Sequence, residues 1–121
     1  NFGTAGGWTG EHAHTVWNFG AAGGIGHEAE KILNAGTCGT LHCHKKTTAV
    51  LAERAKSICL HEGGRLVKPE GLALSELREH LDSLKAAALE CSDNKKLGDM
   101  LDSGKAWKKA AKILRRHKYA I

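Results

Sequence analysis

Proline occurs once in the sequence, at Pro69, and aromatic residues make up only 5% of it. There is no collagen period and no heptad run, so fibrous and coiled-coil classes are excluded. Long apolar runs are missing as well. The longest stretch without Asp, Glu, Lys or Arg runs from His12 to His27, too short and too rich in glycine and histidine to cross a bilayer as a helix. At 121 residues the chain has room for one domain and not for a multidomain enzyme. No Asn-x-Ser/Thr sequon, no diagnostic catalytic motif and no internal repeat stands out.

What is present is unevenly placed. The formal net charge is +5, from 18 basic and 13 acidic residues. Lys105, Lys108, Lys109, Lys112, Arg115, Arg116 and Lys118 fall in the last 17 residues with no acid among them, so this segment holds +7 and residues 1–104 sum to −2. Ten of the 15 glycines lie in the first 39 residues, and Phe2, Trp8, Trp17 and Phe19 in the first 19. The chain therefore reads as a glycine- and aromatic-rich N-terminal segment, 1–26, followed by a helix-rich remainder.

The pattern predicts irregular chain over 1–10 and a strand at 12–19, broken by glycines at 20–26. A short helix is expected at 27–35 and a loop or short strand at 38–44. A long helix is expected over 47–61, where Leu51, Ala55, Ile58 and Cys59 share a face and Gly63-Gly64 follow. A short strand is expected at 65–68. The strongest helix is 75–91, because Leu77, Leu81, Leu84, Ala88 and Cys91 are spaced 4, 3, 4 and 3 apart. A helical turn at 95–101 and a cationic amphipathic helix at 105–118 complete the chain. The expected fold is a small single α+β domain, with three main helices and a minor strand component. If the strands do not pair, it becomes a mainly α domain with a glycine-rich arm.

Cys38, Cys43, Cys59 and Cys91 are disulfide candidates. A helix over 47–61 would hold Cys43 and Cys59 too far apart to join. Two pairings remain open: Cys38–Cys43 with Cys59–Cys91, or Cys38–Cys59 with Cys43–Cys91. Either implies an oxidising compartment.

Eight histidines include two alternate pairs, His12 with His14 and His42 with His44. Residues two apart on a strand point the same way, so each pair offers two imidazoles for zinc, with His27 or Glu28 as a further ligand. This supports a small zinc-dependent hydrolase or nuclease as the enzymatic alternative, the leading expectation being no cofactor and no enzyme. Thr37-Cys38-Gly39 offers a thiol that a nearby histidine would have to activate as a nucleophile. The uncharged segment 16–26 has the composition of membrane-inserting peptides. In the last helix, Trp107 provides an apolar anchor among Lys105, Lys108, Lys109, Lys112, Arg115, Arg116 and Lys118. That pattern suits an anionic membrane or cell-envelope surface, and also an acidic protein or a phosphate backbone.

The cysteines at 38, 43, 59 and 91 and the cationic helix at 105–118, in a small basic chain that starts without methionine, resemble secreted cytotoxic proteins. Among these are the killer toxins of fungi and fungal viruses and the cationic antimicrobial proteins. The resemblance implies secretion, processing from a precursor and action at a target cell's envelope. The expected function is thus a secreted, disulfide-stabilised basic toxin or antimicrobial protein. A nucleic-acid- or acidic-partner-binding module is a further alternative.

Overall fold

The computed structural model describes residues 4–9, 15–25, 29–91, 93–102 and 104–121. The chain divides into two compact units, Asn1–Lys68 and Pro69–Ile121.

The first unit is built of parallel strands. These are β1 (Thr4–Thr9), β2 (Thr15–Asn18), β3 (Ala21–Ile25), β4 (Lys31–Asn34), β5 (Thr37–Cys43), β6 (Thr48–Leu51), β7 (Ala55–Leu60) and β8 (Arg65–Val67). The odd strands form one four-stranded sheet in the order β1-β3-β5-β7, and the even strands another in the order β2-β4-β6-β8. Every recorded pairing is parallel. The chain therefore alternates between sheets and returns to each one strand further along, which makes a two-sheeted solenoid. Each circuit takes 16 or 17 residues, as the partners Ala21↔Thr37 and Lys31↔Thr48 show.

Apolar side chains from both sheets fill the interior. Ile25, Ile32, Leu41, Cys43 and Ala49 are fully enclosed, and Ala55, Ile58 and Leu66 pack onto them from the last circuit. On the even sheet the register stacks Trp17 on Leu33, Leu33 on Val50 and Val50 on Val67, and this column is buried too. Asn18 and Asn34 end their strands and are wholly buried. Asn18 Nδ2 donates to Asn34 Oδ1 at 2.8 Å and to the Thr37 carbonyl at 3.0 Å, while Asn34 Nδ2 donates to the Glu53 carbonyl at 3.1 Å. This ladder gives the buried amides the partners they need inside an apolar stack. The glycines have a related purpose. A Cβ on Gly36 would collide with the Gly20 carbonyl oxygen, and one on Gly39 with that of Gly23. Successive circuits stack backbone on backbone at these positions, between strands at Gly36 and within β5 at Gly39.

The second unit is helical. It contains α1 (Gly71–Glu90), α2 (Asn94–Asp102) and α3 (Lys105–Arg116), with α1 and α2 both packed on α3. Ala73, Leu77, Leu81 and Ala88 of α1 are buried, as are Trp107, Ala110, Ala111, Ile113 and Leu114 of α3. Lys118 ends the last helix in the left-handed conformation, with φ 67°, and the Tyr119 amide turns back onto the Leu114 carbonyl at 3.0 Å.

The expected α+β domain of three main helices with minor strands is therefore overturned. Segment 47–61 is no helix. It forms β6, a corner and β7, because Ala49, Val50 and Leu51 are buried side by side in a parallel stack. A short consecutive apolar run of this kind does not distinguish strand from helix by its periodicity. The expected helix at 27–35 gives way to β4, the irregular start to β1 and the glycine-rich break to β3.

Candidate anion-binding face

α3 holds the densest charge in the chain, and its sequence sorts two kinds of side chain. On a helix turning about 100° per residue, Lys105, Lys108, Lys109, Lys112, Arg115 and Arg116 fall within an arc of about 120°. Ala106, Trp107, Ala110, Ala111, Ile113 and Leu114 occupy the opposite arc. The apolar arc is buried and the six cations are exposed. The result is a straight cationic stripe about 17 Å long, at 1.5 Å per residue.

The stripe is partly engaged within its own unit. Arg116 donates to Glu76 at 2.6 Å, His117 Nε2 lies 3.1 Å from the other oxygen of that carboxylate, and Arg115 reaches the Ile121 carbonyl through two nitrogens at 3.1 and 3.2 Å. Among the described residues, Lys105, Lys108, Lys109 and Lys112 form no ion pair. Beneath the stripe, His80 of α1 is buried, with Nε2 3.1 Å from the Ala106 carbonyl. Burial lowers its pKa, and the nearby Lys109 ammonium adds to that effect.

Trp107 differs from the sequence expectation. It is 8% exposed, so it is no surface anchor. The second apolar candidate, segment 16–26, is also spent on packing: Val16, Trp17, Phe19, Ala22 and Ile25 are all buried. No helix among the described residues is long and apolar enough to cross a membrane.

The four cysteines are free thiols. Cys38 and Cys43 stand at the two ends of β5 and both point into the core, so the extended strand separates them by roughly 16 Å and they cannot join. Cys38 faces the core and Cys59 the outside, which removes that pairing as well. Burial pushes the Cys38 thiol up to about 11 and raises Cys43 too. Neither is an activated nucleophile.

Of the expected zinc ligands, His12, His14, His27 and Glu28 lie outside the described residues. His42 and His44 come together with His61, a residue the sequence reading left aside. The His42 and His61 rings are 5.9 Å apart and stacked, and the His44 and His61 rings are 5.2 Å apart and tilted. Among the described residues no three His, Cys, Asp or Glu side chains are placed to hold a metal ion. The His61 contact has a readable cause: one solenoid circuit separates it from His44, the spacing that puts residues on adjacent strands.

No protein-family model matches the chain, and no curated protein or solved structure matches it.

Proposed function

We propose that this chain is a non-enzymatic docking protein that attaches to an anionic membrane or cell-envelope surface through the cationic stripe of α3. One observation carries the reading: the stripe is exposed along its whole length while the apolar arc behind it is buried. The six cations lie within one arc of about 120°, so an anionic surface faces them from one side. Because Trp107 is enclosed, attachment is electrostatic and peripheral and does not depend on inserting an apolar face. Each lysine or arginine near such a surface contributes about 1 kcal/mol. The four lysines without ion pairs then give about 4 kcal/mol, close to a thousandfold preference over a neutral surface.

The cationic helix that the killer-toxin profile shares supports the envelope of a target cell as that surface. Co-sedimentation with vesicles tests the reading. Binding is expected to vesicles of mixed phosphatidylcholine and phosphatidylserine, not to pure phosphatidylcholine, and to weaken as salt shortens the Debye length. Equal binding to both vesicles, insensitive to salt, contradicts it.

A further inference from the structure

The stripe borders a concavity. An open groove of about 670 Å³ lies within the helical unit among α1, α2 and α3. Lys105 and Lys109 line it from α3 and Lys96 from α2, so three lysines border one depression. Asp99 is the carboxylate in the lining, and among the described residues it pairs with none of the three lysines. The formal sum at the groove is +2 with His80 neutral, the form that its lowered pKa favours near pH 7. Leu84, Met100 and Ala106 supply an apolar wall beside the charges. The volume falls within the range of small-molecule sites, roughly 300–1,000 Å³, whose pattern is apolar lining with a few convergent polar groups.

We propose that this groove binds a phosphate monoester carried on an apolar body, as in the headgroup and glycerol region of phosphatidic acid. The proposal rests on the docking reading of α3 and names the lipid that the stripe selects. The charge decides the headgroup. A phosphate monoester above its second ionisation, at about pH 6, carries close to two negative charges and matches the +2 of the lining. A headgroup with a single net negative charge leaves one ammonium uncompensated. The wall decides the rest: Leu84, Met100 and Ala106 have nothing to contribute to a bare inorganic ion. Lys96 separates the two functions. It lies on α2, outside the α3 stripe, so it acts on headgroup choice and hardly on general attachment, whereas Lys112 lies on the stripe outside the groove lining.

The test is an NMR titration of the full chain with dihexanoyl phosphatidic acid below its micellar concentration, beside dihexanoyl phosphatidylserine and inorganic phosphate. Phosphatidic acid is expected to bind about tenfold more tightly than either, shifting the amides of Lys96, Met100 and Ala106. Lys96→Ala is expected to weaken that binding about fivefold and so to cut the preference to about twofold, while Lys112→Ala keeps it. Equal affinity for the two lipids, or an unchanged preference in Lys96→Ala, overturns the proposal. Inorganic phosphate binding as tightly as phosphatidic acid overturns the lipid as source. Vesicle attachment that persists without any preference leaves the docking reading standing and removes only the groove's role. A preference for short-chain phosphatidic acid without vesicle attachment does the reverse.

Discussion

Single residues bear two kinds of constraint here. Gly36 has no space for a side chain, since its neighbour is the backbone of Phe19 and Gly20, which cannot rotate aside as a long side chain would. Gly36→Ala is expected to cost about 2–4 kcal/mol in denaturant unfolding, against less than about 0.5 kcal/mol for the exposed Thr37→Ala beside it. The thiols divide by burial. Cys59 is exposed and Cys91 half-buried, whereas Cys38 and Cys43 are enclosed with raised pKa values. An aromatic disulfide reagent is expected to titrate two thiols rapidly in the native protein and the other two only after denaturation. Four fast thiols would contradict the buried placement. His80 links stability to pH. Its folded pKa is depressed below 6.5, so the unfolded chain takes up its proton first as pH falls. The stability it contributes is complete above pH 6.5 and declines below that value, through the folded pKa. His80→Gln, which keeps a donor toward the Ala106 carbonyl, is expected to flatten the thermal midpoint between pH 7 and pH 5 relative to wild type.

At the scale of elements, helices and strands were unequally legible. α1 and α3 are local: the 4, 3, 4, 3 spacing from Leu77 to Cys91 and the opposed cations and apolar residues of 105–116 contain their own information. The buried positions Leu77, Leu81 and Ala88 follow that stripe, although Leu84 faces the groove. The solenoid strands take their conformation from partners 16 or 17 residues away, which a window over one segment does not contain. Leu51, Ala55 and Ile58 satisfy helical spacing by chance, while their actual neighbours are Asn34, Cys38 and Leu41. A signal did exist. Gly6-Gly7-Trp8, Gly23-Gly24-Ile25, Gly39-Thr40-Leu41 and Lys56-Ser57-Ile58 recur at the circuit length, as do Asn18-Phe19-Gly20 and Asn34-Ala35-Gly36. It is weak because one circuit's interior needs only small and apolar residues of matching total size. The last circuit departs most from the pattern. It places Arg54, Lys56, Arg65 and Lys68, all exposed, on the terminal strands or beside them. Charges there discourage a further strand from adding to an open edge. The two arcs of α3 should separate cleanly in mutants. Leu114→Ala, at a fully buried site, is expected to cost about 2–5 kcal/mol of stability, and Lys112→Ala less than about 0.5 kcal/mol. On anionic vesicles Lys112→Ala is expected to lose about fivefold in affinity.

The whole molecule carries its excess charge on both units, +2 over residues 1–68 (7 basic, 5 acidic) and +3 over residues 69–121 (11 basic, 8 acidic). What distinguishes the helical unit is order: six of its eleven cations line one face of one helix, and three lysines line one groove. That arrangement was legible in the sequence as a cationic amphipathic helix. The burial of its aromatic was not, because the same periodicity serves a helix that inserts into lipid and a helix that docks on its neighbours. Docking without insertion is the central claim, and Trp107 reports on it directly. With Trp8→Phe and Trp17→Phe, Trp107 becomes the one tryptophan of the chain, which has three. Its fluorescence is then followed on saturating anionic vesicles whose lipids carry bromine along the acyl chains. The account predicts that the protein binds and that Trp107 emission stays unquenched. Strong quenching by the brominated chains would show Trp107 inside the bilayer and contradict it.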